Sequence, residues 1–205
     1  MVVIFDDLSS VRISRDGLLD AVPGTNPQFI DLSEIIAVQS EEGFQLSLAI
    51  NQKRLESKLI FSNDDFSLEN DTMLIQIPQV GRKGRESIDV DKIAGFGFNF
   101  FSLVEFAVEQ DTRLFLIHQF SEPIARISHQ LDASVVSIAP QLNYVKDGVS
   151  YQLNIRPQVS GGNQLSINFN IHFDLPELPE INDLETNFIS GRDEFVSVVS
   201  RLFED

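Results

Sequence analysis

Val149-Ser150-Tyr151-Gln152-Leu153-Asn154-Ile155-Arg156-Pro157, and after a short break Gln164-Leu165-Ser166-Ile167-Asn168-Phe169-Asn170-Ile171-His172-Phe173-Asp174, is the stretch that decides the fold. Val149, Tyr151, Leu153 and Ile155 alternate with polar residues, as do Leu165, Ile167, Phe169, Ile171 and Phe173. Successive side chains of a strand point to opposite faces, so this period of two predicts strands with one buried face and one wet face. Ser160-Gly161-Gly162-Asn163 between them supplies residues that accept a positive φ. The reading is an antiparallel hairpin with Leu153, Ile155, Ile167, Phe169 and Ile171 toward the core.

The same pattern occurs earlier. Phe44, Leu46, Leu48 and Ile50 alternate with Gln45, Ser47 and Ala49, and Leu55, Leu59 and Phe61 with Arg54, Glu56 and Lys58, which predicts a second hairpin turning at Asn51 to Lys53. Met73, Ile75 and Ile77 before Pro78 suggest a further strand. The run Ile93 to Val108, rich in Phe, reads as strand over its first half. In the opening stretch, Asp16-Gly17 and Pro23-Gly24-Thr25-Asn26-Pro27 read as turns, with short strands and a helical turn at Leu32 to Ile36.

Helix signals appear twice. Ser121-Glu122-Pro123 offers a capping hydroxyl, an acid at the positive helix end and a proline in the first turn, and Ile124, Ile127 and Leu131 follow at helical spacing. Near the end, Ile181, Leu184 and Phe188 precede Gly191, and Phe195, Val196, Val198, Val199, Leu202 and Phe203 follow it. The expected class is therefore α+β: a mainly antiparallel, twisted sheet or two sheets, with helices near 122–131 and 180–204 over an apolar face. A β-sandwich-like packing is the competitor. The chain reads as a single domain over 1–205, or as a strand-rich lobe over 1–80 and a strand and helix lobe over 92–205, with 81–91 as linker within the aperiodic stretch Pro78 to Asp91.

Composition narrows the function. Absence of cysteine excludes disulfides, thiolate nucleophiles and thiolate metal sites together. A net charge of -16 opposes nucleic acid and anionic membrane as partners. The acid is concentrated at the end, where Asp174 to Asp205 holds nine Asp or Glu against Arg192 and Arg201. Met1-Val2-Val3-Ile4-Phe5 leads directly into Asp6-Asp7, without the basic and long apolar regions of a signal peptide, and no run approaches the ~20 apolar residues that cross a bilayer. A cytoplasmic location is expected.

Catalytic templates fail one by one. His118, His129 and His172 are the only imidazole bases, and no Gly-x-Ser-x-Gly elbow accompanies them. Gly95-Phe96-Gly97 and Gly81-Arg82-Lys83-Gly84 lack the spacing of a phosphate-binding loop. Asn63-Asp64-Asp65 with Glu69 and Asp71 offers oxygens to a hard cation but lacks the glycine and terminal Glu of a calcium loop. In the adjacent pairs Asp6-Asp7 and Glu41-Glu42, side chains on a strand would diverge. No metal and no cofactor are expected.

Two candidate binding sets remain. Arg82, Lys83 and Arg85 are the dense basic group of an acidic chain, suited to an acidic or phosphorylated partner. The wet face of the last hairpin carries Arg156, Asn168, Asn170 and His172 among neutral hydrogen-bonding side chains. The functional expectation is a non-catalytic protein-interaction or assembly module, an adaptor or chaperone-like binder. The alternative is a hydrolase using dispersed Asp and Glu residues brought together in a pocket. Self-association as a dimer is expected through strand surface or the stripe Phe195, Val196, Val198, Val199, Leu202 and Phe203.

Overall fold

In a computed structural model, which describes residues 1–8, 11–23, 28–30, 35–41, 43–51, 53–61, 71–106, 111–131, 134–158 and 163–203, fifteen elements follow one another. They are β1 (Val2–Ile4), α1 (Arg15–Ala21), β2 (Gln28–Ile30), β3 (Ile35–Glu41), β4 (Phe44–Ile50), β5 (Arg54–Phe61), α2 (Asp71–Leu74) and α3 (Gln76–Glu86). Then come β6 (Gly95–Glu105), α4 (Thr112–Gln119), α5 (Ser121–Leu131), β7 (Gln141–Lys146), β8 (Val149–Pro157), β9 (Gln164–Phe173) and α6 (Ile181–Phe203). The strands hydrogen-bond in the order β2-β3-β4-β5-β1-β6-β9-β8-β7, an open antiparallel sheet and not two packed ones. The class is α+β, with helices where 122–131 and 180–204 were expected.

By their contacts the residues group into two units, 1–98 with 171–205, and 99–170. In the first, β4 and β5 pair from Phe44↔Phe61 to Ile50↔Leu55. Their turn is held by Asn51 Oδ1, which accepts from Lys53 N and Arg54 N at 3.0 Å each. Leu46, Leu48, Ile50 and Leu55 are buried as the alternation requires. Ser57 occupies a buried position on the apolar side because its hydroxyl donates to Ile77 O at 2.8 Å, which offsets the cost of a buried polar group.

Helix α3 covers these strands, and it corrects two expectations. The third strand read at Met73, Ile75 and Ile77 is helical, and so is most of the linker read at 81–91, as far as Glu86. Leu74, Ile77, Gly81 and Gly84 are buried at spacings of three and four, a helical face disguised by glycine. Pro78 sits in the first turn, where its missing N–H costs nothing. A Cβ added at Gly81 would come within 2.8 Å of Met1 Sδ and 2.9 Å of Ser57 Oγ, and one at Gly84 within 2.8 Å of Leu48 Cδ2.

Three smaller readings in this unit also resolve. Asp16-Gly17 lies inside α1 and is not a turn, because Ser14 Oγ accepts from Gly17 N at 3.1 Å and starts the helix there. Ile35 and Ile36, read as helical, belong to β3, where they pair with Ile50 and Ala49 of β4. Residues 24–27, 31–34 and 62–70, which hold a turn reading and the Asn63, Asp64, Asp65 and Glu69 oxygen group, lie outside the described residues, as do Glu42, Ser160-Gly161-Gly162 and Glu204-Asp205. The aromatic core of the unit joins Phe96, stacked on Phe173 at 4.7 Å, to Phe98, which meets Phe188 of α6 edge-on at 5.2 Å.

In the second unit, Gln158 N donates to Gln164 O and Ser166 Oγ to Arg156 O, the signature of the predicted β8–β9 hairpin. Leu153, Ile155, Leu165, Ile167 and Phe169 are buried there, and Ile171 is buried where β9 continues into the first unit. Strand β7 pairs with β8 from Gln141↔Asn154 to Lys146↔Val149 across Asp147 and Gly148, both with positive φ (53° and 79°). That two-residue turn matches the twist of the strands it joins. Tyr144 stacks on Tyr151 at 4.8 Å, directly across the ladder. Leu116 of α4 is fully buried, and Asp111 caps that helix by accepting from Arg113 N at 2.9 Å.

Candidate functional site

Two surfaces qualify as sites. The first is a groove along α6, lined by Ile75, Asn182, Glu185, Thr186, Ile189, Ser190, Asp193 and Glu194. It is the place to test a carboxylate-based hydrolase. Glu185 Oε1 accepts from Gln79 Nε2 at 2.7 Å, and Asp193 Oδ1 receives both Arg192 Nε at 2.9 Å and Nη2 at 2.8 Å. The first of these bonds ties α6 to α3 and the second stays within α6, whereas a general acid or base must face the reacting proton.

The second surface belongs to the 99–170 unit and is the solvent-facing side of its strands. Alternation places Asn143 of β7, Gln152 of β8 and Asn168 and Asn170 of β9 on that side, opposite the buried Leu153, Ile167 and Phe169. Their amides form a chain: Gln152 Nε2 donates to Asn143 Oδ1 at 3.1 Å, and Asn170 Nδ2 donates to Gln152 Oε1 at 3.4 Å and to Asn168 Oδ1 at 2.9 Å. The chain is uncharged and crosses three strands. At one end Glu105 closes the face, its two oxygens accepting from Asn163 Nδ2 at 3.1 Å and Gln164 Nε2 at 3.3 Å.

Apolar side chains stand beside these amides. Phe101 is 59% exposed and Leu103 52%, both from the outward-turned positions of β6, and Val145 is 71% exposed on the same side of β7 as Asn143. The physical cause is plain: Phe100 occupies the alternate, buried position, so Phe101 must turn out. Leu142 is exposed on the other side of β7, and Leu114 and Val136 are exposed elsewhere in the unit.

The predicted residues distribute as follows. Asn168 and Asn170 belong to the amide chain, and Arg156 is exposed on the same side of β8. His172 falls in the other unit, with Nε2 2.8 Å from Asp174 Oδ1. The basic trio does not converge on a ligand site. Arg82 donates to Pro179 O and pairs with Glu180 at 3.4 Å and Glu86 at 3.5 Å, and Arg85 donates to Ile88 O at 3.0 Å and to Val90 O, with its guanidinium 5.9 Å from the Phe5 ring centre. Lys83 is exposed. His118 and His129 are exposed on their helices, and among the described residues no group of three His, Asp or Glu is arranged to hold a metal. Of the α6 stripe, Phe195 is buried and Val196 is 41% exposed. Among the described residues no helix is long and apolar enough to cross a membrane.

Asn143, Phe101 and Leu103 were missed by the sequence reading. The signal for Asn143 was present in Asp147-Gly148, a strong two-residue hairpin turn that puts it in register with Gln152. Compared with known families and proteins, the chain matches no family model, no curated protein and no solved structure.

Proposed function

We propose that this protein is a non-catalytic interaction module that binds a protein partner through the solvent-facing side of its 99–170 unit. One observation carries the reading. Of the nine large apolar residues that stand exposed among the described residues, three (Phe101, Leu103 and Val145) stand on that side, and three more (Leu114, Val136 and Leu142) lie elsewhere in the same unit of 72 residues. Exposed apolar side chains rimmed by polar groups mark interaction surfaces on soluble proteins, and a protein interface needs an apolar centre with hydrogen-bonding groups around it. Phe101 and Leu103 supply the first and the neighbouring amides the second.

Charge supports the same choice. The unit holds six Asp or Glu against four Lys or Arg, net -2 of the chain's -16, so approach there meets little of the protein's field. The hydrolase alternative draws less support: of the three carboxylates that line the α6 groove, Glu185 and Asp193 are bonded to Gln79 and Arg192.

The test is capture from an extract of the source cells by the wild-type chain and by a Phe101→Asp/Leu103→Asp variant, with circular dichroism verifying the fold. Proteins held through this face should fall at least tenfold on the variant. An identical set of proteins at identical yield on both baits would refute the reading.

A further inference from the structure

We infer that β7 is a self-pairing edge, and that two copies of this chain join antiparallel along it about a two-fold axis at Asn143. This rests on the interaction reading above and names one partner for the same unit. Among the described residues strand β7 ends the sheet order, with β8 on its inner side. Ile155 N donates to Pro140 O at 3.0 Å, so Pro140 and Ile155 form a hydrogen-bonded pair. Such pairs alternate along an antiparallel ladder, so Leu142, Tyr144 and Lys146 turn their backbone groups toward β8, and Gln141, Asn143 and Val145 turn theirs to the open edge.

Edge strands are ordinarily protected by proline, by a central charge, by a bulge or by a covering element. Pro140 precedes β7 and Lys146 ends it, but between them Gln141 to Val145 contains no proline and no charged residue, and Gln141, Leu142, Asn143 and Val145 are exposed. The residue order is also self-complementary. A two-fold axis at Asn143 sets Gln141 across from the partner's Val145, and Leu142, 51% exposed, across from the partner's Tyr144. Leu142 then gains an aromatic neighbour beside the Tyr144–Tyr151 stack, and aromatic–aliphatic cross-strand pairs stabilise sheets. On the opposite side Asn143 meets the partner's Asn143, which continues the amide chain of Gln152, Asn170 and Asn168 from one copy into the next.

Charge does not oppose a second copy at this strand. A chain of net -16 repels its own kind over most of its sequence, but Gln141 to Val145 is neutral and Lys146 falls across from the partner's Pro140. A basic peptide would find no acid on this strand to pair with. The contact is isologous, the commonest symmetry of soluble homo-oligomers.

The experiment compares the full chain with Asn143→Pro and Asn143→Cys in sedimentation and light scattering. Proline at an outward-facing edge position keeps the β7–β8 bonds and blocks a second strand, so the wild-type mass should be that of two chains and should fall twofold in Asn143→Pro, with an unchanged dichroism spectrum. The native chain has no cysteine, so Asn143→Cys introduces a single thiol. Directly opposed hydrogen-bonded residues lie about 5.5 Å apart at Cα, within disulfide range, so mild oxidation should link Asn143→Cys into covalent dimers and leave the exposed Val136→Cys control unlinked. If Asn143→Pro fails to fold, the cysteine comparison decides. A wild-type mass of one chain at every concentration tested, or equal linking at 143 and 136, overturns self-pairing. Neither result touches the Phe101 and Leu103 capture test, which fails or succeeds separately.

Discussion

The β4–β5 and β7–β8 hairpins are written in nearly the same alternating pattern, yet they end in opposite environments. Leu48 of β4 is 2% exposed beneath Gly84 of α3, whereas Leu142 of β7 is 51% exposed at the end of the sheet order. Alternation decides that a segment is a strand and which of its sides match. What covers each side is decided by other elements, here by a helix whose glycines let its backbone approach the strand.

The sharpest way to break this comparison is to truncate the matching leucines. Leu48→Ala should destabilise the protein by about 2–5 kcal/mol, the usual cost of emptying a buried leucine site. Leu142→Ala, by contrast, should change stability by no more than about 0.5 kcal/mol, as for surface positions in general. Chemical denaturation of both variants in monomeric conditions checks the pair, and comparable losses would remove the distinction between a covered and an uncovered hairpin.

A smaller difference separates two glycines. Gly84→Ala forces a methyl group to within 2.8 Å of Leu48 Cδ2, so overpacking should cost about 1–3 kcal/mol. At Gly148 an added Cβ meets nothing within 4 Å, and the loss for Gly148→Ala comes from the positive φ of 79° alone, about 1–2 kcal/mol. Combining Leu48→Val with each glycine variant tells them apart. The smaller side chain should recover part of the Gly84→Ala loss and none of the Gly148→Ala loss.

The smallest effect lies at the start of α4. Asp111, half-buried, is held down to about 2 by hydrogen bonds from the Arg113 side chain and then from its backbone N–H. A carboxyl whose folded value lies below its unfolded one, roughly 3.9, adds stability that is complete above that value and is lost as the pH falls toward 2. An NMR titration of the Asp111 carboxyl should therefore show a low midpoint that moves up in Arg113→Ala. A midpoint unchanged by that substitution would contradict the Asp111–Arg113 bond.

These contrasts also mark how far the sequence could be read. The β8–β9 pairing and its buried side were legible because ten residues alternate without a fault in β9, and the neutral side that holds Asn168, Asn170 and Arg156 followed from it. Helix α3 was not legible, because glycine fills the face positions where an apolar residue would have shown the period. The exposure of Phe101 and Leu103 was hidden for a different reason: a run of phenylalanines does not say which members a neighbouring element will cover. The trio Arg82, Lys83 and Arg85 looked like a binding group since the carbonyl partners of its arginines, at Pro179 and Val90, leave no mark in residue type.

Gly97 carries a consequence of another kind. A side-chain carbon there would lie 2.3 Å from the Ile171 carbonyl oxygen, and a main-chain atom in a paired strand has no rotamer by which to withdraw. The position is thus closed to all nineteen other amino acids while the two strands keep this spacing. Exposed Phe101, four residues on, is free to drift to any residue that suits whatever it touches. As descendants of this sequence diverge, Gly97 is where their lineage should remain readable after the surface has been rewritten.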